Sequence, residues 1–344
     1  MSIKVLDCTL RDGGQGLENF YNNGIKTEEF SDSEKIKIAE LVRDAGIDII
    51  EIGCISYRDL HLEKFAIYQN LKRLSEFKPE KKNNHQIFTG LYVDPDTPIE
   101  EVPEFSPEMV EGIRVILRYS QLQQSLDFCK GLADKGYKVF VQPMLTMRYT
   151  DKELDMLIDY ANEMKAYALY FVDSFGYMHE RDIERLYRFY SEKLDKSIRI
   201  GFHAHNNMQN ALVNAQYFLE KLVDRDVIVD SCAIGMGQGA GNLQTEVLIE
   251  YMNRNYGTHY DMDYVLEICD MLDKFRPHDI ETWGYTPLRF VPALHDAAYK
   301  YALAMKLKYN MSLVEINHAL AGISDELKHR YTPENMEKLL HKES

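Results

Sequence analysis

Residues 3–15 read IKVLDCTLRDGGQ, and the interpretation of the whole chain starts from this stretch. Its apolar, β-branched first part predicts a buried strand over residues 3–10. The two glycines that follow predict that this strand opens into a loop, which presents Arg11 and Asp12 side by side. A cation and a carboxylate at the end of a buried strand indicate a functional site at that end of the fold.

Seven more short apolar runs alternate with amphipathic, charged segments of helical period. These predicted strands cover residues 48–54, 86–93, 112–118, 138–144, 168–174, 199–205 and 227–234. Near-continuous apolar strands that alternate with helices indicate a parallel sheet with both faces covered. Eight such units favour an α/β fold of the (β/α)8 (TIM) barrel type over an open, doubly wound sheet.

The strand pattern ends near residue 257. The remaining sequence predicts helices over residues 261–274, 290–307, 311–320 and 333–341. A chain of 344 residues is long enough for one large α/β domain with an appendage. We therefore predict a barrel domain over residues 1–257 and a helical C-terminal extension over residues 258–344.

The composition excludes several classes of partner. The formal net charge of −15 argues against nucleic acid or an anionic membrane, because either would require a basic face. The five cysteines are widely spaced and form no Cys-x-x-Cys pair, which favours free thiols in a reducing compartment. Cys8 and Cys232 lie in apolar runs and are predicted to pack in the core. The apolar runs are too short to span a membrane, so we expect a cytoplasmic location.

A second polar motif, HAHNN, begins at the end of the predicted strand 199–205. His203 and His205 are two residues apart on that strand, so both side chains can point to the same, inner face. In a barrel, this strand end lies on the same face as the Arg11–Asp12 pair. The two histidines are therefore candidate ligands for a metal ion beside that pair.

A third motif, the glycine-rich GMGQGAGN, follows the last predicted strand and ends at Asn242. It lacks the Gly-Lys-Ser/Thr ending of a phosphate-binding loop. Two imidazoles, a carboxylate and an amide oxygen make a mixed nitrogen and oxygen ligand set that suits Mn²⁺, Mg²⁺, Zn²⁺ or Co²⁺, whereas a structural zinc site would use thiolates. We expect a divalent metal ion, with Mn²⁺ as the first choice.

Together, DCTLRDGGQ, HAHNN and GAGN resemble the DRE-TIM metallolyase (HMG-CoA lyase-like) superfamily, and within it the 4-hydroxy-2-oxovalerate aldolases. The resemblance covers nearly the whole chain, including YFVDS at residues 170–174 and the helical tail at residues 303–320. It implies a divalent-metal-dependent aldolase that cleaves or forms a C–C bond of a 4-hydroxy-2-oxo acid through a pyruvate enolate.

The resemblance also implies roles for individual residues. Asp12, His203 and His205 would bind the metal ion, and Asn242 would be a further ligand or a supporting amide. Arg11 would stabilise the enolate oxygen beside the metal. Cleaving a C–C bond next to a carbonyl group produces an enolate, and a metal ion with a fixed guanidinium spreads that negative charge.

The chain departs from its related enzymes at two positions. Gln15 stands where the oxovalerate aldolases place a catalytic histidine, so it is a candidate catalytic residue by position. An amide cannot, however, act as a general base. Residues 238–240 (QGA) replace the catalytic cysteine of the HMG-CoA lyases, so thiol-assisted lyase activity is not expected. The group that transfers the proton must therefore lie elsewhere.

Four residues are candidates for that group: Tyr285, His295, Glu51 and Asp173. Each also has a structural alternative, because Tyr285 could pack the tail and Glu51 could pair with Arg11. Asp173 is in addition a candidate substrate-binding residue. Arg118 and Arg148 follow predicted strands and could bind a substrate carboxylate, with a surface ion pair as the alternative.

Two other functions stay open. A Claisen-type synthase would join an acyl-CoA to a 2-oxo acid, although the tail is short for such an enzyme. A non-catalytic barrel would serve as a binding or assembly subunit. The expected partner is a small-molecule 2-oxo acid, and a homo-oligomer is an open prediction. An aldehyde dehydrogenase partner is implied by the resemblance alone.

Overall fold

The computed structural model describes residues 2–58, 62–275 and 283–340. The strands in these ranges are β1 (Ile3–Asp7), β2 (Ile49–Ile55), β3 (Ile67–Tyr68), β4 (Ile87–Tyr92), β5 (Gly112–Leu117), β6 (Lys138–Pro143), β7 (Ala168–Asp173), β8 (Arg199–Ala204) and β9 (Val227–Ser231).

Helices follow most of the strands and continue to the end of the described chain. They are α1 (Thr9–Asn22), α2 (Asp32–Asp44), α3 (Leu71–Ser75), α4 (Leu122–Asp134), α5 (Asp151–Glu163), α6 (Glu180–Lys193), α7 (Ala211–Tyr217), α8 (Thr245–Tyr256), α9 (Met262–Leu272), α10 (Pro287–Leu294), α11 (Lys300–Tyr309), α12 (Leu313–Ala321), α13 (Asp325–Lys328) and α14 (Pro333–Leu340). Within the described ranges, no helix is both long and apolar enough to cross a membrane.

Eight of the strands close into a parallel barrel. Neighbouring strands follow the order β1, β2, β4, β5, β6, β7, β8, β9, and β9 pairs again with β1. The additional strand β3 has two residues and pairs with the end of β2. The strand residues are nearly all buried, because side chains fill the interior and helices cover the outside. The predicted (β/α)8 barrel with C-terminal helices is confirmed, and each predicted strand overlaps an observed one.

The segment after β1 differs from the prediction, because it is a helix and not a loop. Helix α1 begins at Thr9, directly after the strand, so Arg11 and Asp12 lie in its first turn. The carboxylate of Asp12 thereby lies near the positive end of the helix dipole. The two side chains are held by regular secondary structure at the mouth of the barrel.

The glycines in this segment allow close packing of α1 and do not form a turn. A Cβ atom on Gly14 would lie 2.0 Å from the carbonyl oxygen of Phe65. A Cβ atom on Gly16 would lie 2.6 Å from the carbonyl oxygen of Gly237, in the glycine-rich segment after β9. Both contacts are with backbone atoms, which cannot rotate away as a side chain can. The absence of Cβ atoms therefore lets α1 approach both neighbouring segments.

The C-terminal helices have two kinds of packing. Val265 and Ile268 of α9 belong to the apolar core of the barrel, whereas α10, α11, α12 and α14 share a separate apolar cluster that includes Tyr301 and Ile316. The division at residues 257 and 258 stays a prediction. The single helix predicted over 290–307 is wrong, because the backbone of Asp296 adopts a left-handed conformation (φ 50°) between α10 and α11. Residue 341, the end of the last predicted helix, lies outside the described residues.

We predict that Gly14→Ala destabilises the protein. Alanine favours a helix over glycine by about 1 kcal/mol, but the clash with the Phe65 carbonyl should outweigh this gain. Overpacking of this kind costs about 1–3 kcal/mol. Urea unfolding of the variant and the wild type measures the difference in the free energy of unfolding. The control is Gly322→Ala, where the nearest atom would be 3.9 Å from the new Cβ, and its effect should stay within about 0.5 kcal/mol. A Gly14→Ala variant as stable as the wild type would contradict the proposed packing.

Candidate active site

Charged side chains occupy the barrel interior, which in this fold is usually filled by branched aliphatic residues. Arg114 on β5 is 0% exposed. Its Nη1 donates to Glu51 Oε2 at 3.1 Å, and its Nη2 donates to Asp230 Oδ2 at 2.6 Å. Glu51 Oε2 also accepts from Arg11 Nε at 2.7 Å, and Asp230 Oδ2 accepts from His203 Nδ1 at 2.9 Å. One buried guanidinium thus holds the two carboxylates that orient Arg11 and His203.

The Asp12 carboxylate is the point at which the predicted ligands meet. Nε2 of His203 lies 3.3 Å from Asp12 Oδ2, and Nε2 of His205 lies 3.9 Å from it. Asn242 Nδ2 donates to the same oxygen at 2.8 Å, and Arg11 Nη1 lies 3.3 Å away. The structure therefore brings together the four residues of the predicted ligand set and places Arg11 beside them.

The electrostatics of the cluster suit a bound positive charge. Burial alone would raise the pKa of Asp12, but the neighbouring Arg11 and His203 lower it below its ordinary range. Burial alone would lower the pKa of His203, but its bonds to Asp12 and Asp230 raise it to about 10. A metal ion bound at Nε2 of this imidazole would therefore replace a proton. Burial lowers the pKa of His205 to about 4, so this imidazole is neutral near pH 7 and can act as a ligand.

The donor atoms also fit a divalent cation. Nδ1 of His205 donates to the carbonyl oxygen of Gln238 at 3.1 Å, which leaves Nε2 with a lone pair on the side of Asp12. Asn242 Oδ1 is buried and has no hydrogen-bond partner among the described residues. Ligands at about 2.1 Å from one ion lie about 3–3.5 Å apart, which is close to the separations from Asp12 to the two imidazoles.

A thiol lies next to the same cluster. Cys8 Sγ and the ligand atoms of Asp12 and His203 all lie within 4.8 Å of one another. Cys8 Sγ also contacts Cys232 Sγ at 3.2 Å, and both cysteines are free and buried. The predicted packing role of these cysteines agrees with their burial, but the position of Cys8 beside the candidate ligands could not be inferred from its apolar sequence context.

A cavity of about 100 Å³ lies beside the cluster. Arg11, Asp12, His203 and His205 line one side of it, and Gln15 lines it as well. Arg11 Nη2 is buried and has no hydrogen-bond partner in the described part of the chain. A group that accepts a hydrogen bond from Arg11 could therefore bind next to the candidate metal ligands.

Side chains from the opposite strands and from the C-terminal helices complete the cavity. Ile116 and Val172 are apolar, Gln142 is polar, and Tyr299 precedes α11. Gly284 N also donates to the carbonyl oxygen of Ala240 at 2.9 Å, which ties the tail to the glycine-rich segment. The C-terminal helices thus contribute to the site and do not form a remote appendage.

Three predicted proton-transfer residues do not line this cavity. The side chain of Tyr285 is 50% exposed. His295 Nε2 contacts Asn317 Oδ1 at 2.8 Å within the C-terminal helices. Burial raises the pKa of Asp173 to about 7, but its carboxylate accepts hydrogen bonds from the backbone of Tyr177 and Met178. The catalytic roles of these three residues stay predictions.

The two predicted carboxylate-binding arginines also lie outside the cavity. Arg118 is exposed, and its Nη2 donates to the carbonyl oxygen of Val93 at 3.1 Å. Arg148 is exposed, and its guanidinium lies 4.5 Å from the ring centre of Tyr119. Glu51 is buried and pairs with Arg11 and Arg114, which corresponds to the structural alternative considered from the sequence.

Three polar residues of the barrel interior were not predicted from the sequence: Arg114, Gln142 and Asp230. Arg114 and Asp230 each stand in the middle of an apolar strand, where a charge is buried only when it is paired. This signal indicates a buried partner but does not identify it. Gln142 precedes a proline at the end of β6, and its position across from Arg11 depends on the closed barrel.

Known proteins resemble this chain in sequence and in fold. The model of the HMGL-like family matches residues 118–272. A 4-hydroxy-2-oxovalerate aldolase from Bacillus cereus is 32% identical over 296 residues, which cover 84% of this chain and 78% of that protein. An oxaloacetate decarboxylase from Mycobacterium tuberculosis is 24% identical over 287 residues, which cover 81% of this chain and 80% of that protein.

A solved structure supports the fold assignment. The N-terminal domain of a candidate aldolase from Bacteroides vulgatus superposes with a TM-score of 0.68 at 23% identity, and the match covers 91% of this chain and 99% of that domain. The sequence relatives are enzymes that break carbon–carbon bonds, and they match most of this chain. The chain therefore belongs to the HMGL-like (DRE-TIM metallolyase) family of carbon–carbon lyases.

Proposed function

We propose that the protein is a divalent-metal-dependent aldolase that cleaves or forms a C–C bond of a 4-hydroxy-2-oxo acid through a pyruvate enolate. The observation that carries this proposal is the placement of Arg11. Its Nη2 is buried without a partner among the described residues, and Arg11 lines the cavity beside Asp12, His203 and His205. A fixed donor next to a candidate metal site suits a reaction that develops negative charge on an oxygen.

Asp12, His203 and His205 would hold the metal ion, with the amide oxygen of Asn242 as a fourth donor. When bound, the ion supplies a Lewis acid that polarises the carbonyl group of the 2-oxo acid. The nitrogen and oxygen donors suit Mn²⁺, and also Mg²⁺, Co²⁺ or Zn²⁺. We propose Mn²⁺ as the first choice.

Arg11 would stabilise the enolate. In aldol cleavage, a general base takes the 4-hydroxyl proton, and the O–H electron pair forms the carbonyl bond of the leaving aldehyde. The electron pair of the broken C3–C4 bond forms the C2–C3 double bond, and the carbonyl oxygen at C2 takes the negative charge. Arg11 Nε is already bound by Glu51, and Nη1 lies near Gln15 Oε1 at 3.4 Å. Nη2 has no partner among the described residues and would donate to the enolate oxygen.

A second candidate function is decarboxylation of a 2-oxo acid that carries a carboxylate on C3, as in oxaloacetate. Loss of CO₂ produces the same enolate but needs no base, whereas aldol cleavage requires removal of the 4-hydroxyl proton. Gln15 lines the cavity and cannot act as a base, and a similar protein is an oxaloacetate decarboxylase. Both functions use a small 2-oxo acid, and assembly with copies of itself or with an aldehyde dehydrogenase is a further proposal from the family resemblance.

We predict that Asp12→Asn weakens Mn²⁺ binding at least 100-fold, because the change removes the charged ligand while leaving the side-chain shape. Isothermal titration calorimetry on the full chain measures the affinity. The control is Asp94→Asn, which alters a buried carboxylate that accepts from Ser56 at 2.7 Å and does not line the cavity. An Asp12→Asn variant with wild-type affinity would place the ion elsewhere.

We predict that the wild type catalyses metal-dependent exchange of the methyl protons of pyruvate in D₂O. Proton NMR in the presence of Mg²⁺ measures the exchange rate. Arg11→Lys should lower the exchange rate by about 10²–10³, which is typical for loss of one donor to a developing oxyanion. Arg43→Lys, which alters an arginine bonded to Asp44 at 2.6 Å, should exchange at the wild-type rate. Absence of metal-dependent exchange in the wild type would reject the enolate proposal.

We predict that Gln15→His changes the balance between the two candidate reactions. A histidine in the cavity can accept the 4-hydroxyl proton, and general base catalysis typically contributes about 10²–10⁴-fold. Cleavage of 4-hydroxy-2-oxopentanoate should therefore accelerate, while decarboxylation of oxaloacetate should stay within about threefold of the wild type, since it needs no base. Equal changes in both rates would show that position 15 does not govern proton transfer.

A further inference from the structure

Gln142 lies directly across the barrel from Arg11 and Asp12. The ring of eight strands places β6 four strands from β1 in either direction, so the two strands are opposite each other. Arg11 and Asp12 follow β1, and Gln142 stands near the end of β6. All three residues line the same cavity. A ligand bound between them would therefore contact Gln142 at the end remote from Arg11 and Asp12.

The Gln142 amide has unused hydrogen-bonding capacity. The residue is 3% exposed, and its Oε1 has no hydrogen-bond partner among the described residues. Ile116 is its register partner on β5, and Val172 lines the cavity from β7. These apolar side chains cannot satisfy the amide. Because a buried amide oxygen without a partner destabilises a fold, this atom points to a group that a ligand supplies.

The chemistry of this wall selects the type of ligand group. A neutral amide offers a hydrogen bond but no charge, and Ile116, Val172 and Met144 offer neither. A hydroxyl group is therefore a suitable partner, since it can donate to Oε1. A carboxylate at this end would lack a cation, because Arg11 lies on the other side of the cavity.

We propose that Gln142 is a substrate-specificity residue that binds the 4-hydroxyl group of the 2-oxo acid. This inference rests on the proposed function, in which the carbonyl end of the substrate lies beside Arg11 and Asp12. The 4-hydroxyl belongs to the half of the substrate that leaves as an aldehyde, and it extends toward β6. The hydrogen bond to Gln142 positions the hydroxyl group before the reaction and holds the C3–C4 bond in the orientation in which it breaks. Gln142 does not take the proton, because an amide is not a base; a separate general base removes it.

The test compares substrates with and without the hydroxyl group in two variants of the full chain. Gln142→Leu removes the acceptor and keeps a similar volume, whereas Gln142→Glu keeps an oxygen acceptor in the same shape. We expect Gln142→Leu to lower kcat/KM for cleavage of 4-hydroxy-2-oxopentanoate at least tenfold. Exchange of pyruvate methyl protons and the Mn²⁺ affinity should stay within threefold, because pyruvate ends at C3 and carries no group that reaches Gln142. Gln142→Glu should retain more of the cleavage activity than Gln142→Leu.

Three results would overturn the inference. Gln142→Leu could cleave the hydroxy acid as fast as the wild type, which would remove the contact. It could lose exchange and Mn²⁺ affinity together with cleavage, which would show a structural role. The wild type could exchange pyruvate protons but leave 4-hydroxy-2-oxopentanoate intact, which would reject this assignment and keep the enolate proposal. A wild type without exchange would instead reject the proposed function itself.

Discussion

The arrangement of the site depends on the ion pairs of Arg114 inside the barrel. This guanidinium bonds to Glu51 and Asp230, and these carboxylates orient Arg11 and His203 on opposite sides of it. Removing one partner of a buried ion pair typically costs about 3–5 kcal/mol, because the other charge stays buried and unpaired. The network therefore restricts each of its members to one orientation. An aliphatic interior would pack equally well, but it could not align a donor and an imidazole at the mouth of the barrel.

The backbone of the site is restricted as well. Helix α1 starts at Thr9, directly after β1, so Arg11 and Asp12 belong to regular structure. The close approach at Gly14 and Gly16 fixes the position of that helix against two other segments. Side chains on rigid elements hold their geometry better than side chains on loops. Backbone packing fixes the position of the helix that carries Arg11 and Asp12, and the buried ion pairs fix the orientation of the Arg11 side chain.

Much of the fold followed from local sequence patterns, whereas several details depended on contacts between distant segments. Each of the eight predicted strands overlaps a barrel strand, because apolar runs of this length are buried in any parallel sheet. The Gly13–Gly14 pair was interpreted as part of a loop, because glycine is common both in loops and at sites of close packing. The neighbour at Gly14 that distinguishes the two is Phe65, about fifty residues away. The break between α10 and α11 was missed for a similar reason, since an aspartate such as Asp296 is only a weak local signal for a left-handed conformation.

Because β1 and β6 lie on opposite sides of the barrel, the residues that line the cavity differ in how closely they are tied to the ion pairs of Arg114. Asp12 follows β1, and His203 and His205 lie at the end of β8, whereas Gln142 faces them from β6 between Ile116 on β5 and Val172 on β7. Ile116 stands two residues from Arg114 on β5, and Val172 is the register partner of His203. Substitutions at these two positions therefore act on strands that also hold the ion pairs or the candidate metal ligands. None of the described members of the Arg114 network lies on β6, so Gln142 is the position at which the pocket can change with the least effect on that network.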